Sequence, residues 1–141
     1  MPSNRHIAIC VFRDGGRILV ARGYDDVKHE HFFRPLGGAV EFGELAADAL
    51  HREIKEELGL DIMELVQLGV LENRFEYQGK PGHEVVFVFD ARFVDSSIYA
   101  SREVPIFEPG WDGAAEWLSL EEPSPLPIYP QGLVELLRGG A

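Results

Sequence analysis

Apolar and polar positions change period several times along this chain, and each change marks an element. Residues 5–12 alternate loosely among apolar and β-branched types, which predicts a strand. Arg13-Asp14-Gly15-Gly16 has the composition of a hairpin turn, returning the chain through a second strand over residues 17–22. Residues 23–30 are polar and predict an exposed loop, with His29 inside it and His31 just beyond. A short extended segment over 32–36 is broken by Pro35 and ends at Gly37-Gly38. Over 44–58 the period becomes helical: no Pro or Gly interrupts, Ala is frequent, and Gly59 stands where a left-handed residue closes a helix. Two strands are expected over 66–77 and 83–94, joined by the turn Gln78-Gly79-Lys80-Pro81-Gly82. Residues 96–112 read as loop and 114–120 as a further strand. After a proline-rich connection, 131–138 reads as a closing amphipathic helix. Strands in hairpins, with one helix mid-chain and one at the end, predict an α/β fold in which helices cover the faces of a mixed sheet.

Composition narrows the function more than the fold. At 141 residues and 45% hydrophobic content the chain is expected to form one domain with a sizeable core. Its apolar runs, such as 85–89, are too short to span a bilayer, and residues 1–5 lack the pattern of a signal peptide, so a cytoplasmic location is the default expectation. The single Cys10 excludes an internal disulfide and reads as a buried core thiol. A formal charge of −11 argues against a nucleic-acid duplex as partner, because that surface needs a basic patch. Phosphorylated small molecules stay open, since a bridging cation reverses the local sign.

The mid-chain helix carries the chemistry. At about 100° per residue, Ala47, Leu50, Ile54 and Leu58 share the stripe that must pack on the sheet. Glu53, Glu56 and Glu57 fall on a neighbouring sector at the spacings that bring side chains together, while Asp48 and Lys55 take the solvated side. Three like charges on one edge repel and raise one another's pKa values, and Lys55 faces elsewhere. Hard oxygen ligands at that density suit Mg²⁺ or Mn²⁺; a solvated acidic face is the bland alternative. Gly37 and Gly38 add a place for tight turning or close approach, and Arg52 can anchor a carboxylate such as Glu44 in a bidentate pair.

Gly38, Glu44, Arg52-Glu53-Ile54, Glu56-Glu57 and Gly59-Leu60 stand at the spacing of the Nudix box, and residues 38–60 resemble that signature of the Nudix hydrolase superfamily at every defined position. The resemblance implies the Nudix fold, an α/β/α sandwich around a mixed β-sheet, in a single domain over 1–141. It implies hydrolysis of a pyrophosphate bond in a nucleoside diphosphate linked to another group, with Mg²⁺ as cofactor and Mn²⁺ as a substitute. By the same resemblance Glu53, Glu56 and Glu57, with the carbonyl of Gly38, are metal ligands. Arg52 orients Glu53, and Glu44 holds the loop or serves an outer site. Glu53 is the first choice of general base, with Glu103, Glu108 and Glu84 as later-chain alternatives.

Substrate selection lies outside the box. Tyr77 falls at an offset similar to that of a tyrosine in some diadenosine-polyphosphate hydrolases, whereas Phe75 stands where ADP-ribose pyrophosphatases usually carry proline. Arg34, Phe75 and Tyr77 are the substrate-binding candidates: Arg34 for phosphate, Phe75 (with Phe32 and Phe33) for stacking on a base, and Tyr77 by its offset; each also reads as an ordinary strand residue. Nucleoside triphosphates or dinucleoside polyphosphates are the expected class. The alternative is a non-catalytic, nucleotide-binding sensor, which typically loses box glutamates that this chain keeps. Homodimers are common in that superfamily, and no residue pattern here fixes one.

Overall fold

Alternation at the start of the chain separates two hydrophobic clusters, and the rest of the fold follows from covering both. The computed structural model describes residues 3–108 and 111–139. In β1 (Arg5–Cys10) and just after it, Ala8, Cys10 and Phe12 join one cluster while Ile9 and Val11 join the other. β2 (Arg17–Asp25) repeats the split, with Leu19 and Ala21 on the first side and Ile18 and Val20 on the second. Strands buried on both faces need a helical layer on each side.

The remaining elements are β3 (Glu30–Arg34), β4 (Leu36–Ala39), α1 (Ala46–Leu58), β5 (Ile62–Tyr77), β6 (Lys80–Phe93), β7 (Glu103–Glu108), β8 (Trp111–Ser119) and α2 (Leu133–Leu137). A short 3₁₀ helix occupies Ser96–Ala100. The strands form two four-stranded sheets. The first, β4-β1-β6-β5, is mixed, because β1 runs parallel to β6 while the other neighbours are antiparallel. The second, β3-β2-β8-β7, is antiparallel throughout. The mixed α/β architecture expected from the sequence is present, with its strands shared between two sheets.

α1 covers the first cluster through Leu50, Ile54 and Leu58, with Ala47 packed against it on the stripe expected from the sequence. Ala49 is buried as well. The helix begins at Ala46 instead of 44, because Glu44 is held in the preceding loop by Arg52. It ends as expected at Gly59, whose φ of 69° is left-handed and whose N–H donates to the Lys55 carbonyl. α2 closes the opposite face, placing Leu133 in the second cluster. Cys10 is buried among the first cluster, and burial pushes its thiol up, so it is an inert core residue.

Two strands were hidden in the sequence. β4 consists of Leu36-Gly37-Gly38-Ala39, which reads as a turn by composition yet pairs residue for residue with β1. β7 lies within the stretch that reads as loop; its buried Val104 and Ile106 alternate with exposed neighbours, and Pro105 is tolerated at the sheet's edge. Between β5 and β6 the turn is tighter than composition suggests: only Gln78 and Gly79 remain unpaired, both with positive φ.

The two sheets are stapled where their hairpins meet. Buried Asp25 accepts the N–H groups of Val27 and Lys28 on its own turn, at 2.9 and 3.1 Å, and that of Gln78 on the β5–β6 tip, at 3.2 Å. Burial alone would raise this carboxyl's pKa, but the N–H donors outweigh it and hold the group low. Tyr77 adds a hydroxyl bond to the Tyr24 carbonyl at 3.2 Å.

If α1 is anchored by its apolar stripe, Ile54→Ala, at a fully buried position, should lower stability by about 2–5 kcal/mol with an unchanged denaturant slope. Urea unfolding measures it, and a loss below about 1 kcal/mol would remove Ile54 from the anchor.

Candidate active site

β4 presents bare backbone to α1, and its two glycines make different close contacts. At Gly37, with φ of 145°, a Cβ would run into the Ala8 carbonyl of the paired strand. At Gly38 a Cβ would collide with the Glu53 carboxylate, so this side chain of α1 lies directly on the strand. The glycine pair lets helix and strand approach until a carboxylate fills the gap.

One guanidinium organises what surrounds that contact. Arg52 donates through Nε and Nη2 to the two oxygens of Glu44, at 2.9 and 3.0 Å, forming a bidentate pair. Nη2 also donates to the Ala39 carbonyl at 2.9 Å, while Nη1 reaches Glu53 Oε1 at 2.9 Å and Glu56 Oε2 at 3.4 Å. The Glu41 N–H closes the loop onto Glu44 at 3.1 Å. Chiefly through the Arg52 bond, and next through the Glu41 amide, the Glu44 carboxyl is held down to about 2. Arg52 itself is pushed above its ordinary value, first by Glu44. The Ala39 carbonyl and the Glu41 amide carry no side-chain signal, which is why sequence alone does not reveal them.

The three glutamates are not equivalent. Glu53 is 16% exposed and shares Arg52, whereas Glu56 is 59% exposed and only loosely held. Glu57 is largely enclosed, with Oε2 buried and lacking a hydrogen-bond partner. Burial pushes its carboxyl up to about 7. Arg34 opposes the rise, Glu53 adds to it, the Gly37 amide opposes it and Glu108 adds to it. The sequence places a common edge of negative charge here, but Arg52 draws two members to itself and the third turns towards β4. Lys55 stays apart, 3.3 Å from Asp61.

Strand alternation sorts the other acids. Glu108 falls in phase with Val104 and Ile106, which pack in the cluster that α1 covers, and its charge is felt at Glu57. Glu103 is out of phase with them and stands opposite Glu116. Glu84 is in phase with Val86 and Val88 of the second cluster and bridges Arg5 at 3.5 Å, on the sheet face away from α1. Of Glu84, Glu103 and Glu108, Glu108 is the one whose charge is felt at Glu57.

The substrate candidates separate in the same way. Arg34, at the end of β3, lies close enough to influence Glu57. Phe75 and Tyr77 lie at the tip of the β5–β6 hairpin and, in phase with Leu71, on the second-cluster face. His29 and His31 do not form a metal pair: Tyr24 takes the Nδ1 of His29 at 3.3 Å, and the His31 ring lies against the Tyr24 ring.

A divalent cation fits this donor set as an open site and not as a cage. Among the described residues no three His, Cys, Asp or Glu side chains already converge on one point. The orphaned Oε2 of Glu57, the Glu53 carboxylate against the uncovered Gly38, and the mobile-length side chain of Glu56 are hard donors on one helix end beside a bare strand. Such a partial set, completed by water and phosphate oxygen, is what Mg²⁺ prefers.

A two-sheet α/β fold with a carboxylate-rich helix laid on a glycine strand defines a class of phosphate-handling domain. The NUDIX domain family model matches residues 2–138, and the chain belongs to that family. Over 96% of this chain and 97% of the other, the fold is similar to a MutT NUDIX hydrolase from Burkholderia pseudomallei, with a TM-score of 0.69 and 26% identity. A MutT protein from Bacillus halodurans shares the fold with a TM-score of 0.61 at 20% identity, over 95% and 80% of the two chains. The low-salt glycan biosynthesis protein Agl8 of Haloferax volcanii is 26% identical over 114 residues, 76% of this chain and 72% of that protein. Family and neighbours support a Nudix pyrophosphohydrolase.

Glu57 makes a pH-dependent contribution whose sign is fixed. Its folded pKa of about 7 exceeds the unfolded 4.5, so the folded state keeps a proton that the unfolded state releases between those values. In chelator-treated protein, stability should fall as pH rises from 4.5 to 7, by at most about 3 kcal/mol from this group. Unfolding midpoints across pH should show the slope in wild type and lose it in Glu57→Gln; an unchanged slope in the variant refutes the assignment.

Proposed function

We propose that this protein is a Mg²⁺-dependent pyrophosphohydrolase acting on a nucleoside triphosphate or dinucleoside polyphosphate. The observation that carries the reading is the Glu53 carboxylate seated on Gly38 and fixed through Oε1 by Arg52. Glu53, Glu56, Glu57 and the Gly38 carbonyl would hold the metal, with Mn²⁺ as a substitute. When bound, the ion would neutralise phosphate oxygens and acidify a water.

The chain's own residues supply the rest. Arg52 fixes the carboxylate of Glu53 so that one oxygen stays directed away from the guanidinium, where it can accept the proton of an attacking water. Water adds to phosphorus as the bridging P–O bond of the anhydride breaks, leaving two phosphate products. Glu44 does no chemistry here; its bidentate bond sets the position of Arg52. Arg34 lies on the same side as Glu57 and is the cation available to a phosphate. Phe75 and Tyr77 are assigned to the base end of the substrate, and Glu108 is the reserve base.

The sensor reading gives no reason for a full set of box glutamates, an arginine clamp and a bare strand to be kept together. Hydrolysis of a nucleotide panel with and without Mg²⁺, with products identified by mass, separates the two. Glu53→Gln should fold with its melting temperature nearly unchanged yet lose about 100-fold or more in kcat. Near wild-type turnover in that variant removes Glu53 from the catalytic list.

A further inference from the structure

Each sheet ends in two edge strands, whose outer backbone groups invite another strand unless something blunts them. Three of the four edges are blunted. β3 is covered by the segment after β8: its Phe33 N–H donates to the Pro127 carbonyl at 2.8 Å, and its Phe33 carbonyl accepts from Tyr129 at 2.9 Å. β7 carries Pro105, which has no N–H to offer. β4 is four residues long, and its Ala39 carbonyl accepts from Arg52. β5 differs from all of them. It runs 16 residues along the edge of the first sheet without a proline or a lysine. Among the described residues, β6 is the one partner of its backbone.

That edge is also where apolar surface collects. Of the eleven large hydrophobic side chains exposed among the described residues, five belong to β5: Met63, Val66, Val70, Phe75 and Tyr77. The first part of the strand is irregular, with register shifts between Met63 and Val66 and between Gln67 and Gly69. From Gly69 to Tyr77 every residue stays in register, and the turn begins at Gln78. Bulges and turns end a pairing surface, so the stretch able to receive a strand is Gly69–Tyr77, centred on Asn73.

The charges of this stretch match across that centre. When an antiparallel copy is laid alongside with Asn73 opposite Asn73, Glu72 of each copy stands opposite Arg74 of the other. Both side chains are exposed, and among the described residues neither has an ion pair within one copy. They lie in phase with Val70 and Phe87 on the α1 side of the sheet, while Leu71 meets Phe75 of the second copy on the other side. Side chains so opposed lie about 5 Å apart. The neighbouring registers are disfavoured. Sliding two residues one way sets Glu72 against Glu72; two residues the other way sets Arg74 against Arg74 and Glu72 against Glu76.

We propose that a second copy of this chain pairs antiparallel with β5 over Gly69–Tyr77, about a two-fold axis at Asn73, so that the two first sheets become one. A two-fold contact must be self-complementary, and this stretch is. The formal charge of −11 on each copy resists association at other faces, whereas the two Glu72–Arg74 pairs bring opposite charges together. β4 and β5 are opposite edges of the sheet, so the pairing leaves the box helix uncovered and does not depend on the reaction proposed above.

Analytical ultracentrifugation of the full chain up to about 100 µM measures the association, and wild type should dimerise with a Kd of about 10 µM or tighter. Glu72→Arg and Arg74→Glu each set like charges across the axis and should weaken the dimer about tenfold or more, with circular dichroism unchanged. Mixed in equal amounts, these two variants complement each other, one positive and the other negative at both positions. The mixture should associate as wild type does, and so should the double variant Glu72→Arg/Arg74→Glu. Hydrogen exchange at residues 69–77 should slow with protein concentration in wild type but not in either single variant. A wild type that stays monomeric overturns the proposal and leaves the edge to a strand of some other chain. Undiminished association in both single variants places the contact on another face and overturns it equally. Loss in the single variants without recovery in the mixture overturns the register.

Discussion

Arg52 is the residue on which the site depends, because it joins three parts of the chain that have no other reason to meet. Its Nε and Nη2 take Glu44 from the loop, Nη2 takes the Ala39 carbonyl from the end of β4, and Nη1 takes Glu53 and Glu56 from its own helix. A lysine could not replace it, since an ammonium lacks the planar fork that meets a carboxylate with two parallel bonds while reaching other acceptors. The arrangement also settles the electrostatics. Four acids crowd around the guanidinium, and Glu44 answers by staying ionised down to about pH 2. Glu57 is left outside the network and largely buried, and that burial pushes its carboxyl up to about 7.

The parts of this arrangement that were legible in the sequence are those fixed by covalent spacing. Glu53, Glu56 and Glu57 share one helix, Gly59 closes it, and Leu50, Ile54 and Leu58 face the core, so a helical wheel places them correctly. Spacing could not show that Arg52 would divide the glutamates, because that depends on Ala39 and Glu44 arriving from the loop. Likewise Gly37-Gly38 signals a turn by composition, and only pairing with Ile9 and Ala8 makes it a strand. β7 was missed because Pro105 argues against a strand unless the strand is known to be an edge. Alternation within strands was readable in principle at Glu84, Glu103 and Glu108, but the face each phase belongs to is decided by the clusters, not by the local sequence.

A sheet buried on both faces has few places where a ligand can touch it. α1 and α2 take the two sides, so access remains at strand ends and along the two sheet edges, β5 and, beside α1, β4. That edge is also where the backbone is bare, since Gly38 has no side chain to hold Glu53 away. Under the proposed function, the anhydride chemistry falls beside this short strand, where the backbone is bare.

Arg52, Glu53 and Glu57 stand on α1, whereas Asn73, Phe75, Tyr77 and Glu84 lie towards the β5–β6 tip on the sheet face away from it. The hairpin that bears Phe75 and Tyr77 is in turn pinned by Asp25, whose Oδ2 accepts the Gln78 N–H. The buried carboxylate at Asp25 thereby fixes the tip of this long two-stranded ribbon to the second sheet.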